Sequence, residues 1–148
     1  MGGTGILVFL DLVAYLVRRF LALESKELRV FKDEDFPDLT NDFELVMYAT
    51  APRRSESIGI ELCEGAARIF EKMGDNLRSF RFIPIFSREA GERLNETSID
   101  RIVGANARDG RLKKVWVCGP PKMNETFERE LESIAPKYKL KKEDYEVF

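Results

Sequence analysis

The alternation of helix-like and strand-like segments constrains the fold of this chain more than any other feature. Apolar residues recur at three- and four-residue spacing from residue 5 to about residue 23, which predicts a first helix. Short runs rich in β-branched and aromatic residues predict strands over residues 43–49, 80–86 and 114–118. A helix is predicted after each strand, over about residues 58–73, 97–107 and 122–135. We therefore expect an α/β fold in which an open parallel sheet carries helices on both faces.

The predicted order begins with a helix rather than with a strand. An open α/β fold that binds a nucleotide normally starts with a strand that leads into a Gly-rich turn. Here the Gly-rich turn occupies residues 2–5, so no residues are left for that first strand. We therefore expect residues 1–148 to form a single domain whose first strand is missing. Either the chain is a fragment of a larger protein that starts inside its fold, or another segment takes the place of that strand. Residues 24–42 are predicted to form a long polar connection.

The composition excludes several classes of function. The 148 residues include no His, which rules out His-based catalytic triads and His metal sites, and we expect no metal. Cys63 and Cys118 form neither a disulfide framework nor a C-x-x-C motif, which is typical of a reducing intracellular compartment. The net charge of −2 gives no general attraction to nucleic acid. The most apolar stretch, residues 6–17, is shorter than the ~20 residues that span a bilayer, so no membrane segment is expected.

The chain begins with a Gly-rich segment, Gly2-Gly3-Thr4-Gly5, directly before the first predicted helix. Glycines let the backbone approach an anion, and the free N–H groups at a helix N-terminus attract a pyrophosphate. The Thr4 hydroxyl can add another hydrogen bond. The segment matches neither G-x-G-x-x-G nor a Walker loop, so on these residues alone a flexible terminus or the remnant of an expression tag is the alternative.

A second candidate segment, Cys118-Gly119-Pro120-Pro121, ends the third predicted strand and precedes the last predicted helix. In an open α/β sheet, ligands bind outside the carboxyl ends of the strands. We therefore expect Cys118 to face that crevice, where its thiol could contact a ligand ring. The same residues are equally compatible with Cys118 as a small core residue and the proline pair as a strand terminator.

Polar residues follow the other two predicted strands at the same edge of the sheet. Ser87 and Arg88 come directly after the second strand, and Arg53 and Arg54 follow the first. A hydroxyl and a guanidinium group are suited to bind a phosphate monoester, and we expect the neighbouring Glu89 to orient Arg88. An ordinary solvated loop is the alternative for each pair.

Together these segments resemble the NAD(P)-binding lobe of the ferredoxin–NADP reductase superfamily, which includes cytochrome b5 reductases, ferric reductases and NADPH oxidases. The resemblance covers nearly the whole chain and implies a Rossmann-like fold. The segments that carry it are Gly2-Gly3-Thr4-Gly5-Ile6, Ser87-Arg88-Glu89, residues 91–96, Cys118-Gly119-Pro120-Pro121 with Met123, and Glu146-Val147-Phe148. The chain departs from the family in Val8, which replaces a proline, and in Asn95, which replaces a tyrosine that lies on adenine in plant-type members.

The resemblance implies a lobe that positions NADPH for hydride transfer to FAD, with NADH as an alternative nucleotide. FAD would be bound mainly by a lobe absent from this chain, so the isolated chain is expected to be inactive. The implied nucleotide-binding residues are Gly2, Gly3, Thr4 and Gly5 at the pyrophosphate, Ser87, Arg88 and Arg53 at the 2′-phosphate, and Gly119, Pro120 and Met123 beside the nicotinamide. The implied catalytic group consists of Cys118 packed near the transfer site, Glu146 in the catalytic network, and Phe148 over the flavin.

The resemblance also implies partners and a location. The FAD-binding lobe of the parent protein would be the main partner, and the electron acceptor, which that lobe selects, is unknown. The chain would lie in the cytoplasm or at the cytoplasmic face of a membrane. Two alternatives are a non-catalytic nucleotide-binding or regulatory module with the same fold, and a generic α/β domain whose motifs are coincidental.

Overall fold

The computed structural model describes residues 4–24, 43–72, 80–89 and 94–148. The described helices are α1 (Leu7–Glu24), α2 (Ile60–Lys72), α3 (Glu96–Asn106) and α4 (Pro121–Tyr138). The described strands are β1 (Leu45–Ala51), β2 (Phe80–Phe86), β3 (Val115–Val117) and β4 (Tyr145–Val147). The predicted order of helices and strands is confirmed, and the end of the chain adds the strand β4. The predicted connection at residues 24–42 lies, apart from its first residue, outside the described residues.

The described strands pair in parallel, as the alternation predicts. The registers run from Leu45↔Phe80 to Ala51↔Phe86 and from Val115↔Tyr145 to Val117↔Val147. The mixed α/β class with parallel strands is therefore confirmed. Within the described residues, however, the strands form two separate two-stranded sheets, β1–β2 and β3–β4, instead of the one open sheet that we expected. In the described part of the chain, no strand of one pair is hydrogen-bonded to a strand of the other.

The β1–β2 sheet packs with α1 and α2 around one hydrophobic core. α1 buries Val13, Leu16 and Phe20, which recur at the spacing that predicts this helix. The Phe20 ring lies 4.6 Å from the ring of Phe70 on α2, measured between ring centroids. The buried residues of this first core are Ile6, Val13, Leu16, Phe20, Met47, Ala51, Ile60, Cys63, Ala66, Ala67, Phe70 and Phe80.

A second core is formed by α3, α4 and the β3–β4 sheet. Its buried residues are Ile99, Val103, Val117, Leu131, Ala135 and Tyr145. Asn95 starts α3, because its side chain accepts a hydrogen bond of 3.0 Å from the backbone N–H of Ser98. α4 starts at Pro121, where proline fits because its missing N–H would have no helical partner. The segment between β3 and α4 is therefore short and rigid.

The start of α1 touches the loops that follow both β1 and β3. Gly5 lies against the carbonyl group of Cys118, which follows β3. Gly59, in the loop after β1, lies beside the side chains of Ile6 and Leu10. The start of α1 thus contacts both the carboxyl end of β3 and the residue that directly precedes α2. Among the described helices, none is both long and apolar enough to cross a membrane.

Candidate functional site

The two candidate ligand-binding motifs lie against each other, although they stand near opposite ends of the sequence. A Cβ atom on Gly5 would overlap the carbonyl oxygen of Cys118 and lie 2.9 Å from its carbonyl carbon. Only glycine fits so close to this backbone. Gly5 therefore brings the N-terminus of α1 to the carboxyl end of β3. Gly2 and Gly3 lie outside the described residues, and of Thr4 only the backbone is described.

Gly119 is crowded by a side chain. A Cβ atom on Gly119 would overlap Cε of Met123 and lie 3.0 Å from its Sδ. The backbone N–H of Met123 donates a hydrogen bond of 2.8 Å to the carbonyl of Pro120, which forms the first turn of α4. Cys118, Gly119, Pro120 and Met123 consequently form one cluster at the carboxyl end of β3.

The two cysteines differ in environment. Cys63 is 0% exposed in the first core, and burial raises the pKa of its thiol to about 11. Cys118 is half-buried directly after β3 and belongs to the buried set of neither core. Cys118 is therefore the more exposed of the two thiols, and it follows β3 directly.

Ser87, Arg88 and Arg53 come together where β1 and β2 end. The backbone N–H of Ser87 donates to the carbonyl of Ala51, and that of Arg88 donates to the carbonyl of Pro52, both at 3.0 Å. The turn after β2 therefore stays hydrogen-bonded to the end of β1. The sequence prediction that these polar residues share one edge of the sheet agrees with this arrangement.

Glu56 is the carboxylate that faces these two arginines. Its Oε1 lies 3.8 Å from Nη1 of Arg88 and 3.9 Å from Nε of Arg53. The expectation that Glu89 orients Arg88 is wrong, because Oε1 of Glu89 accepts a hydrogen bond of 3.1 Å from the backbone N–H of Arg54. The side chains of Arg88 and Arg53 are 63% and 58% exposed, and long, exposed ion pairs are weak. Both guanidinium groups can therefore turn toward another anion.

Arg54, by contrast, has a structural role. Its guanidinium donates two hydrogen bonds, of 3.0 and 2.5 Å, to the carboxylate of Glu64 on α2. It also lies over the ring of Phe86, 5.4 Å from the ring centroid. The hydrogen bonds raise the pKa of Arg54 and lower the pKa of Glu64. Of the two arginines after β1, Arg53 is therefore the candidate for phosphate binding.

The last residues, Tyr145–Phe148, which we call the tail, place Glu146 and Phe148 beside β3. Oε1 of Glu146 lies 2.5 Å from Nζ of Lys114. The backbone N–H of Phe148 donates a hydrogen bond of 2.9 Å to the carbonyl of Val117. Because Val117 directly precedes Cys118, the backbone of Phe148 lies next to the Cys118–Gly119 turn.

Two side chains that fix the tail are not predicted from the sequence. Lys114 donates to Glu146 and also to the carbonyl of Glu143, at 2.5 Å. Asn124, in the first turn of α4, donates from Nδ2 to the main-chain oxygen of Phe148. The register of β3 against β4 places Lys114 beside the tail, but that register is not evident from the sequence. Asn124 carries no sequence signal beyond its place after the Cys-Gly-Pro-Pro segment.

An apolar groove of about 630 Å³ runs between the β1–β2 sheet and α3. Tyr48, Ile83 and Phe86 line it from the sheet, Ile102 lines it from α3, and Glu89 stands beside them. Because Phe86 and Glu89 flank the Ser87–Arg88 turn, the groove adjoins Arg53 and Arg88, which we call the arginine cluster.

The fold and these sites define an α/β protein of parallel strands with candidate ligand-binding groups at the strand ends. No family model matches the chain, and neither the curated proteins nor the solved structures contain a significant match. The resemblance to ferredoxin–NADP reductase lobes thus rests on the motifs themselves. Within the described residues, no three His, Cys, Asp or Glu side chains are grouped as metal ligands would be.

Proposed function

We propose that this chain is the nucleotide-binding lobe of an NADPH-dependent flavoprotein oxidoreductase, with the Rossmann-like sheet of that class. The observation that carries the proposal is the contact between Gly5 and the carbonyl group of Cys118. Two motifs from distant parts of the sequence meet at the carboxyl ends of strands, where open α/β sheets bind their ligands. Coincidental motifs would have no reason to meet there.

The pyrophosphate would lie at the N-terminus of α1. This helix has 18 residues and no acidic residue in its first turn. Its first N–H groups lack helical acceptors, and its dipole favours an anion. Gly5 keeps side-chain atoms away from this end of the helix, and Gly2, Gly3 and Thr4 would supply further backbone and hydroxyl donors.

The 2′-phosphate of NADPH would lie between Arg53 and Arg88, with the Ser87 hydroxyl as a further donor. A phosphate would replace Glu56 as the partner of both guanidinium groups, since it carries more charge and accepts bidentate hydrogen bonds. NADH has no such phosphate and would leave the pairs with Glu56 unchanged. The preference for NADPH over NADH follows from this difference.

The nicotinamide would lie against the Cys118–Gly119 turn. Bound nicotinamide and FAD would supply the hydride chemistry, and FAD would be held mainly by a separate lobe. The chain itself would position the nicotinamide ring and exclude water from it, through the Cys118–Gly119 backbone, Met123 and Phe148. The location at the cytoplasm or at the cytoplasmic face of a membrane belongs to the same proposal.

A second candidate function is a non-catalytic module that binds the nucleotide without reduction of a flavin. The ion pair between Lys114 and Glu146 favours it, because the 2.5 Å contact between Nζ and Oε1 gives the Glu146 carboxylate a structural partner within the chain. Addition of the FAD-binding lobe to the chain distinguishes the two functions experimentally. Flavin reduction by NADPH in that complex would support the enzyme and reject the module.

Calorimetric titration of the chain with NADPH and with NADH tests the nucleotide site. We expect NADPH to bind more tightly, and Arg88→Ala to weaken NADPH about 10- to 150-fold, because one charge-assisted phosphate contact is worth roughly 1.5–3 kcal/mol. NADH should change by less than about twofold, since it makes no such contact. Arg129→Ala is the matched control, because this arginine on α4 is 65% exposed and distant in sequence from the cluster. Binding of neither nucleotide by the folded chain would refute the proposal, and equal losses for both would refute the role of Arg88.

A further inference from the structure

The outward face of α1 is unusually apolar for a helix at the surface of a protein. The side chains of Leu7, Val8 and Leu21 are 43%, 60% and 36% exposed on this one helix. The helix α2, which belongs to the same core, exposes Leu62 among charged side chains. A surface helix normally carries polar residues on its outer face, whereas a helix that is apolar on all sides is normally buried. The outer face of α1 is therefore a candidate contact surface.

The exposed residues of α1 form one stripe along the helix. Residues at alternating spacings of four and three share a helix face, and this spacing is typical of the seam between two paired helices. The exposed residues that follow it are Leu7, Asp11, Ala14, Arg18 and Leu21. The stripe thus has a leucine at each end, a small residue at its centre and opposite charges in between.

This order is complementary to itself when a second copy of α1 runs in the opposite direction. Leu7 and Leu21 are each seven residues from Ala14, so they face each other when the two Ala14 residues are opposed. Asp11 and Arg18 are three and four residues from Ala14, so the opposite charges of two copies meet within about 1.5 Å along the axis. A parallel pair would oppose like charges at both positions, which is repulsive. The small Ala14 side chain lets the two helix axes approach to about 8 Å.

Asp11 is the member of the stripe that a single copy explains least. It lies among apolar residues, and within the described part of the chain it makes neither an ion pair nor a hydrogen bond. Aspartate also has a low helix propensity, so the stability of α1 gives no reason for it. An antiparallel second copy would give Asp11 an arginine partner.

We propose that two copies of this chain associate through α1, with the two helices antiparallel across a twofold axis at Ala14. Such a contact uses the same surface of both copies, which is the commonest arrangement in pairs of identical chains. Leu7 of each copy packs against Leu21 of the other, and the two Asp11–Arg18 pairs fix the direction and register of the helices. The association does not depend on the nucleotide function proposed above, so either can fail without the other.

Sedimentation equilibrium of the full chain, between about 1 µM and about 1 mM, tests the association. One helix from each copy forms a small interface, so we expect a dimer with a dissociation constant of about 1–100 µM. Asp11→Arg should weaken this dimer about 5- to 30-fold, because two attractive pairs become repulsive. Arg18→Asp should have a similar effect, and the variant with both changes should restore the dimer because the exchanged charges attract again. Glu125→Arg on α4 is the control, since it changes the net charge equally and should leave the dimer unchanged.

A disulfide crosslink tests the direction of the two helices. In a chain with Cys118→Ser, the variant Ala14→Cys should form a covalent dimer on oxidation in air with copper phenanthroline, because the two thiols meet at the twofold axis. Leu7→Cys should form none, since its two thiols would lie about 21 Å apart along the helix axis. Cys63 is buried and does not compete for the crosslink.

The outcomes are decisive in both directions. A folded chain that stays monomeric over the whole concentration range would refute the association. Equal crosslinking of Leu7→Cys and Ala14→Cys would refute the antiparallel arrangement, and a double charge variant no tighter than the single variants would refute the pairing of Asp11 with Arg18. Circular dichroism checks that each variant folds. If a charge variant does not fold, the crosslink still decides, because Ala14→Cys leaves both charges in place.

Discussion

Replacement of Gly5 by alanine tests the contact that joins the two hydrophobic cores. The new Cβ atom would overlap the carbonyl oxygen of Cys118 and lie 2.9 Å from the carbonyl carbon. These are backbone atoms at the end of β3, so they cannot turn aside as the end of a long side chain can. Either the start of α1 or the Cys118–Gly119 turn must move.

The size of the effect follows from two opposed contributions. Insertion of a methyl group into a closely packed place typically costs about 1–3 kcal/mol. Alanine also restricts the unfolded chain, which returns about 0.4–1 kcal/mol. We therefore expect Gly5→Ala to lower the free energy of unfolding by about 1–2 kcal/mol, measured by urea denaturation.

Gly65→Ala is the matched control for this measurement. Gly65 lies inside α2, and a Cβ atom there would meet only Nη2 of Arg68, at an ordinary distance of 4.0 Å. Alanine should therefore raise the free energy of unfolding by about 0.5–1 kcal/mol, through its higher helix propensity. Opposite signs for the two variants are the expected result. If Gly5→Ala were as stabilising as Gly65→Ala, the close approach of Gly5 to Cys118, on which the proposed site depends, would be refuted.

Two other predictions concern thiol reactivity and acid titration. Cys118 should react with an aromatic disulfide reagent in the folded chain. Cys63 should react only after unfolding, because burial shields its thiol and raises the thiol pKa to about 11. Fast reaction of both thiols in the native chain would contradict this prediction. Hydrogen bonds from Lys137 and then Tyr138 lower the pKa of Asp100, so Lys137→Ala should raise that pKa toward the ordinary aspartate range in an NMR titration. A lowered folded-state pKa stabilises the fold above the unfolded pKa, and this contribution is lost as pH falls through the folded value. The variant should therefore lose less stability on acidification than the unmodified chain, and an unchanged Asp100 pKa would contradict the assignment.

The helices and strands are predictable because their signals are local. The inward-facing Val13, Leu16 and Phe20 repeat at helical spacing within one segment, and Pro121 marks the start of α4. The predicted end of α4 near residue 135 is wrong, because Pro136 is accommodated in the last turn and the helix runs to Tyr138. The single open sheet is not predictable with the same certainty, since strand order depends on pairing between distant segments.

Several polar and charged contacts of the site could not be predicted from short sequence motifs. Glu89 is adjacent to Arg88 in sequence, yet Glu56 faces that guanidinium, because the turn at Arg54–Glu56 brings its carboxylate across the end of β1. Lys114 and Asn124 reach the tail only because β3 and β4 pair and α4 starts beside them. Such contacts depend on the relative placement of several elements, which no short motif encodes.

The two groups of candidate ligand-binding residues belong to different cores, and this division explains how the site is built. The arginine cluster is carried by β1 and β2 of the first core, whereas the Cys118–Gly119 turn is carried by β3 and α4 of the second. A dinucleotide that reached both would have to span the place where Gly5 brings the cores into contact. If the proposed function holds, the distance between the 2′-phosphate and the nicotinamide would be set by that contact and not by either core alone. Gly5 would then be needed to fix the distance between the two groups of residues, and not only to let the backbone approach an anion.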